Sequence, residues 1–185
     1  MQKQLLLHLK LTPKSPSTLN RNLFIALIII FNVAIDQISK VLVRANISEN
    51  PREEIELIGQ KFIMTNVYNE GAFLGMGSDM HPTLHFIFLK LLPLLVLGYV
   101  IYYITKTKNL DRTSLIAFCC IVGGGLANVF DRFAFGKVTD FLFIDLGGVF
   151  KTGIFNIADV AVTTGMFMLI FSNFIMKKKK DTANA

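Results

Sequence analysis

Four stretches of this chain, about 22–43, 84–105, 113–133 and 154–176, are apolar enough to cross a bilayer, and three of them carry a carboxylate near one end. A helix needs about 20 apolar residues to span roughly 30 Å of hydrocarbon. Lipid offers the peptide groups no water, so each run must bond its own backbone as a helix. The chain is therefore expected to be a mainly α membrane protein, one integral domain over residues 1–185. The carboxylates are the problem this leaves. Each costs about 2.5–3.5 kcal/mol at mid-bilayer, against about 0.3–0.6 kcal/mol contributed by each Leu, Ile, Phe or Val. Insertion is tolerated but not helped, so the question is whether the polar groups meet in space.

Composition narrows the class further. Hydrophobic residues make up 52% of the chain and charged ones 17%, and the mean hydropathy is +0.52; soluble domains do not have these values. The net charge of +6 does not point to nucleic acid, because the basic residues sit in tails and one short loop rather than in a patch interleaved with aromatics. Cys119 and Cys120 are adjacent in an apolar run, without the spacing of a metal site, and read as small packing residues.

In chain order, a basic tail over 1–21 (Lys3, Lys10, Lys14, Arg21) precedes the first span. The apolar run from Leu23 lacks a small-residue cleavage site and continues through Val43, so it reads as an uncleaved span rather than a secretory leader. Asp36 and Lys40 fall on one helix face, either as a self-neutralising interfacial pair or as part of a site. The segment at about 44–83 is too long for a simple connection. Ile55–Ile58 and Lys61–Tyr68 read as short strands around Gly59-Gln60, followed by a turn at Asn69-Glu70-Gly71. The second span contains Lys90, expected to snorkel to the interface, and Pro93, tolerated in a membrane helix. His81 and His85 at its mouth read as interfacial residues.

The third span carries Gly123, Gly124 and Gly125, which permit close helix approach in lipid, and then Asn128, Asp131 and Arg132 on one face. The segment at about 134–153 holds two strand-like runs around Gly147-Gly148, a hairpin pattern. The fourth span opens with Asn156 and Asp159, spaced i,i+3, and stops at Lys177–Lys180. Lys and Arg concentrate in both tails and the 106–112 loop, which puts both termini in the cytoplasm. Asp36, Lys40, Asn128, Asp131, Asn156 and Asp159 then share one level near the outer face, and Asp140 can fold back over them. Carboxylates crowded in a semi-dry pocket cannot all ionise; a pair sharing one proton can activate water and protonate a leaving amine. Asn128 and Asn156 would orient the acids and Arg132 would stabilise one. Spacing alone favours Asp131 over Asp140 as a member of that pair. A transporter or proton relay is the rival reading, since intramembrane acids also mark ion paths.

Five motifs in order, DQISK (Asp36 to Lys40), YNEGAF (Tyr68 to Phe73), GGGLANVFDR (Gly123 to Arg132), VTDF (Val138 to Phe141) and FNIADV (Phe155 to Val160), resemble the lipoprotein signal peptidases, the type II signal peptidases of bacteria. The resemblance covers nearly the whole chain. It implies a four-transmembrane-helix bundle with a small extracytoplasmic β-sheet cradle in the bacterial inner membrane. The implied activity is that of an intramembrane aspartyl endopeptidase without metal or cofactor, expected as a monomer among membrane lipids. It would cut diacylglyceryl-modified prolipoproteins just before the lipidated cysteine. By motif, Asp140 and Asp159 take the catalytic positions, and Asp36, Lys40, Asn69, Gly71, Asn128, Asp131, Arg132, Asn156 and Ala158 the supporting ones. Thr139, Phe73-Leu74 and Ala127 depart from the usual pattern at positions bearing on packing and pocket shape.

Overall fold

The computed structural model describes residues 18–49, 53–72, 75–148 and 150–183. Most of the basic tail, Phe73 and Leu74, and the side chains of Lys177–Lys180 lie outside the described residues. Helix α1 (Thr18–Asn46) leads into strands β1 (Ile55–Ile58) and β2 (Phe62–Asn69). Helices α2 (Pro82–Lys106) and α3 (Arg112–Ala134), strand β3 (Val138–Ile144) and helix α4 (Ile157–Ala183) follow. Three described helices are long and apolar enough to cross a membrane: Asn20–Asn46, Pro82–Lys106 and Arg112–Ala134. The described apolar part of α4, Ile157–Ser172, is shorter.

Helix α3 is the axis of the molecule. Half of its apolar window is buried, against 17% for α1 and 11% for α2. The glycine run explains the position, because its three members face three different neighbours. A Cβ at Gly123 would meet Asn32 of α1 at 2.6 Å, one at Gly125 would meet Leu97 of α2 at 2.7 Å, and one at Gly124 would collide with the Ala158 carbonyl of α4. In lipid, where burial of apolar surface drives little association, such close backbone approach is what holds helices together. Cys119 is fully buried with Ile25, Ile104 and Leu115, in the packing role its sequence context implies.

Pro93 leaves a gap in the backbone ladder of α2 that a π-helical turn at Ile87–Leu91 absorbs; such turns and prolines are common causes of helix irregularity. Lys90 lies in that turn with its ammonium 5.6 Å from the Phe133 ring centroid. His81 caps the start of α2 through Thr83 N–H, and His85 Nε2 lies 2.5 Å from the Glu70 carbonyl, joining the helix to the end of β2.

The sheet is antiparallel in the order β1-β2-β3, with Gly59 at φ +49° closing the first turn. It seats on the end of α1 through Val43, Ile47, Phe141 and Leu142. The run after Gly147-Gly148 returns antiparallel beside β3, as the hairpin pattern implies, through the Asp145–Lys151 and Leu142–Phe155 bridges and the Thr152 N–H donating to the Ile144 carbonyl at 2.9 Å, although its described residues form no continuous strand. Beyond Phe155 the chain must turn into α4, which withdraws it from the ladder. The start of the fourth span needs correction. For the same reason α4 begins at Ile157 rather than near 154, and Asn156 precedes the helix instead of sharing a face with Asp159.

The glycine packing is testable by thermal unfolding of purified variants. Gly124→Val should destabilise by about 1–3 kcal/mol, the usual cost of overpacking. Gly98→Val, where a Cβ meets nothing within 4 Å, should leave the midpoint nearly unchanged.

Candidate functional site

A lysine with no solvent exposure organises the polar layer. Lys40 Nζ lies 2.8 Å from Asp36 Oδ2 and 2.8 Å from Asp131 Oδ2, and donates to Asn128 Oδ1 at 2.9 Å. All three ammonium protons therefore have acceptors. Asp36, Lys40 and Asp131 are each 0% exposed, a burial that is sustainable only because each charge is paired and hydrogen-bonded. Gln37 completes the cluster by donating to Asp131 Oδ1 at 2.9 Å and to Asp36 Oδ2 at 3.2 Å. Sequence reasoning passed over Gln37; its place inside DQISK, one residue from Asp36, was the available signal.

The same carboxylate anchors α4. Asp36 Oδ1 accepts the Ala158 N–H at 2.8 Å, so α1 satisfies an orphan donor in the first turn of another helix. Asn156 is the N-cap: its Oδ1 accepts the Asp159 N–H at 2.9 Å, while Asp159 Oδ2 accepts the Asn156 N–H at 3.1 Å. This is a capping box, and it explains the i,i+3 spacing that the sequence presented as a helical face. It also fixes Asp159 at the positive end of the helix dipole, where a carboxylate is favoured.

Two asparagines join the cluster to two further acids. Asn128 Nδ2 donates to Asp159 Oδ1 at 2.9 Å. Asn156 Nδ2 donates to Asn128 Oδ1 at 3.1 Å and to Asp140 Oδ1 at 2.6 Å. Asp140 arrives on β3, which folds back over the layer after Gly136 (φ +77°), with the Thr139 N–H reaching Asp131 Oδ2 at 3.4 Å. Asn69, at the end of β2, donates to Asp140 Oδ2 at 3.0 Å, and its own Oδ1 accepts the Gly71 N–H at 2.9 Å. Arg132 donates through Nη2 to the Gly71 carbonyl at 2.9 Å, tying α3 to this turn. The eleven residues assigned to the site by motif thus fall in one network. Arg44, which donates to Thr139 Oγ1 at 2.9 Å and lies 4.8 Å from the Phe135 ring centroid, supports its outer edge.

A cleft of about 700 Å³ opens beside the layer. Of the four acids in the network, Asp140 and Asp159 border the cleft, together with Asn69, Asn128 and Arg132; Asp36 and Asp131 do not. Asp131, which spacing alone favoured, is instead committed to Lys40. Burial pushes the Asp140 carboxyl up to about 6; the Asn69 and Asn156 donors oppose the rise and the neighbouring Asp159 adds to it. Arg132 Nε is buried and has no partner among the described residues. Among the described residues no group of three or more His, Cys, Asp or Glu is arranged to hold a metal ion.

Apolar helices around a strand-covered layer, with two linked carboxylates facing one cleft, define a membrane protein built around a two-acid centre. Comparison with known proteins gives the family. Residues 28–175 match the family described as signal peptidase (SPase) II, and the chain belongs to that family. A lipoprotein signal peptidase of Chlorobium luteolum is 34% identical over 168 residues, covering 86% of this chain and 97% of the relative. One from Clostridium novyi is 34% identical, covering 83% and 98%. A solved bacterial membrane enzyme, determined in meso at 2.3 Å resolution, superposes with a TM-score of 0.71 at 26% identity, covering 87% of this chain and 90% of its own.

The lysine cluster makes a stability prediction. Lys40→Met leaves two buried carboxylates unpaired and should cost about 3–5 kcal/mol. Lys151→Met breaks a pair whose lysine side chain is 55% exposed and should cost under about 1 kcal/mol. Thermal melts of the purified proteins check the contrast; equal shifts would contradict it.

Proposed function

We propose that the chain is an intramembrane aspartyl endopeptidase that removes the signal peptide from diacylglyceryl-modified prolipoproteins, cutting just before the lipidated cysteine. Family membership supports the peptidase class. The observation that carries the acid assignment is that Asp140 and Asp159, of four networked carboxylates, border the cleft. Asp159, with donors on both oxygens at a helix N-terminus, is suited to the charged role. Asp140, with its carboxyl raised to about 6, is suited to holding the proton the pair shares.

In the reaction, Asp159 takes a proton from water as the water oxygen attacks the scissile carbonyl, and Asp140 protonates the carbonyl oxygen. The resulting gem-diol collapses when Asp159 returns its proton to the amide nitrogen. The C–N bond breaks and Asp140 recovers a proton from one of the two hydroxyls, restoring the starting state. Asp36, Lys40, Asp131 and Ala158 position α4; Asn128 and Asn156 set the acids; Asn69, Gly71 and Arg132 hold the covering turn. These steps need neither metal nor cofactor.

We place α4 as the fourth crossing of a monomeric four-helix bundle in the bacterial inner membrane, with both termini cytoplasmic and the sheet as an outer cradle. A proton relay would need a polar path onward from this layer. The neighbouring core is apolar, with Leu97, Val122 and Val129 in one cluster and Ile25, Ile104, Leu115 and Cys119 in another, which favours the peptidase reading.

Asp140→Asn and Asp159→Asn, each inserted at normal level, should slow cleavage of a lipidated precursor by about 10²–10⁴-fold, the usual worth of a positioned acid or base. Wild-type turnover by either would sink the assignment. The pH profile gives a second check. Because the active form holds a proton on Asp140, kcat/KM should fall as pH rises through about 6. Asn69→Ala removes a donor that favours the carboxylate, so the Asp140 pKa should rise and this limb move to higher pH. A shift to lower pH would contradict the roles assigned to the two acids.

A further inference from the structure

Helix α4 lines the cleft with a stripe, Asp159, Val160, Thr163, Thr164 and Phe167, at the spacing of one helical face. From Asp159 to Phe167 the stripe runs about 12 Å, at 1.5 Å per residue. Thr163 and Thr164 are both exposed. A hydroxyl or amide in a membrane helix commonly bonds back to its own helix, as Thr105 does to the Ile101 carbonyl at 2.9 Å and Asn32 to the Ile28 carbonyl at 2.8 Å. Neither Thr163 nor Thr164 makes such a bond; among the described residues their hydroxyls have no partner, and both residues line the cleft.

A peptide bond inside a helix is shielded from attack, so a membrane-embedded substrate must unwind around its scissile bond. Unwinding frees backbone N–H and C=O groups that lipid cannot satisfy, at several kcal/mol each. The enzyme must supply partners where that segment lies. The stripe leads from Asp159 along α4, the fourth crossing in the proposed arrangement, which is the course of substrate residues preceding the bond. On it the two hydroxyls, each both donor and acceptor, are the polar groups beyond the acid. Acyl chains in the same groove would gain nothing from them.

Resting on the peptidase reading, we infer that the Thr163 and Thr164 hydroxyls bind the unwound backbone of the substrate just before its scissile bond and so act as positioning residues. The test is steady-state kinetics of the purified full-length enzyme on two diacylglyceryl-modified lipobox peptides. One has ordinary amide bonds before the cleavage site and the other carries N-methylated amides there, which have no N–H for the hydroxyls to bind. Thr163→Val/Thr164→Val keeps side-chain shape and should raise KM about tenfold on the first peptide, the worth of two net hydrogen bonds. The effect should be under about threefold on the second, and kcat should change little on either. Thr163→Ser/Thr164→Ser should restore KM. Equal losses on both peptides, no loss on either, or failure of the Ser variant to rescue would overturn the inference. Failure of the wild-type enzyme to cut either peptide would instead overturn the peptidase reading.

Discussion

The ammonium of Lys40 is the contact on which the rest depends. It bridges Asp36 and Asp131 and holds Asn128, so one buried cation ties α1 to α3. An ion cluster of this kind adds little net stability over an apolar replacement, since desolvation offsets most of the Coulomb gain. What it provides is geometry, because each partner left alone in lipid would be costly. Asp36 then uses its other oxygen on the Ala158 N–H, which brings in α4. Three helices are registered at one level by a single lysine and its two acids.

From that level the arrangement extends outward. Gly124 lets α4 approach until its first turn can meet Asp36, and the capping box then orients Asp159. β3 folds back and delivers Asp140 to the same asparagine that caps α4. The four carboxylates divide by surroundings. Asp36 and Asp131 are neutralised and sealed, while Asp140 and Asp159 are held by amide donors and left facing the cleft. Amide donors fix a carboxylate without supplying a full counter-charge, a setting in which two acids can share a proton.

Much of this was legible in the sequence, for reasons that differ by level. Three of the expected spans could be read because lipid imposes length and polarity on each segment independently. The shared level of Asp36, Lys40, Asn128, Asp131, Asn156 and Asp159 followed from loop charge, and the contacts among them agree. The role of Asn156 could not be read from spacing, because a capping box and a helical face give the same i,i+3 interval. Nor could Asp140 be ranked above Asp131 from local pattern. Asp140 reaches the cleft through pairing of β3 with β2, a contact about 70 residues long in sequence, and the ranking came from resemblance. The hairpin around Gly147-Gly148 was legible, since its second arm pairs back antiparallel onto β3; that the arm is irregular was not, because the demand to enter α4 outweighs its strand propensity, a tertiary override of a local preference.

What the cleft accepts is the decisive question. Purified wild-type protein should be given a diacylglyceryl-modified lipobox precursor and its unlipidated twin, with products identified by mass spectrometry. The lipidated precursor should yield a product whose N-terminus is the modified cysteine, and the twin should be cut far more slowly. Equal cleavage of both, or cleavage at another bond, would contradict the proposed activity.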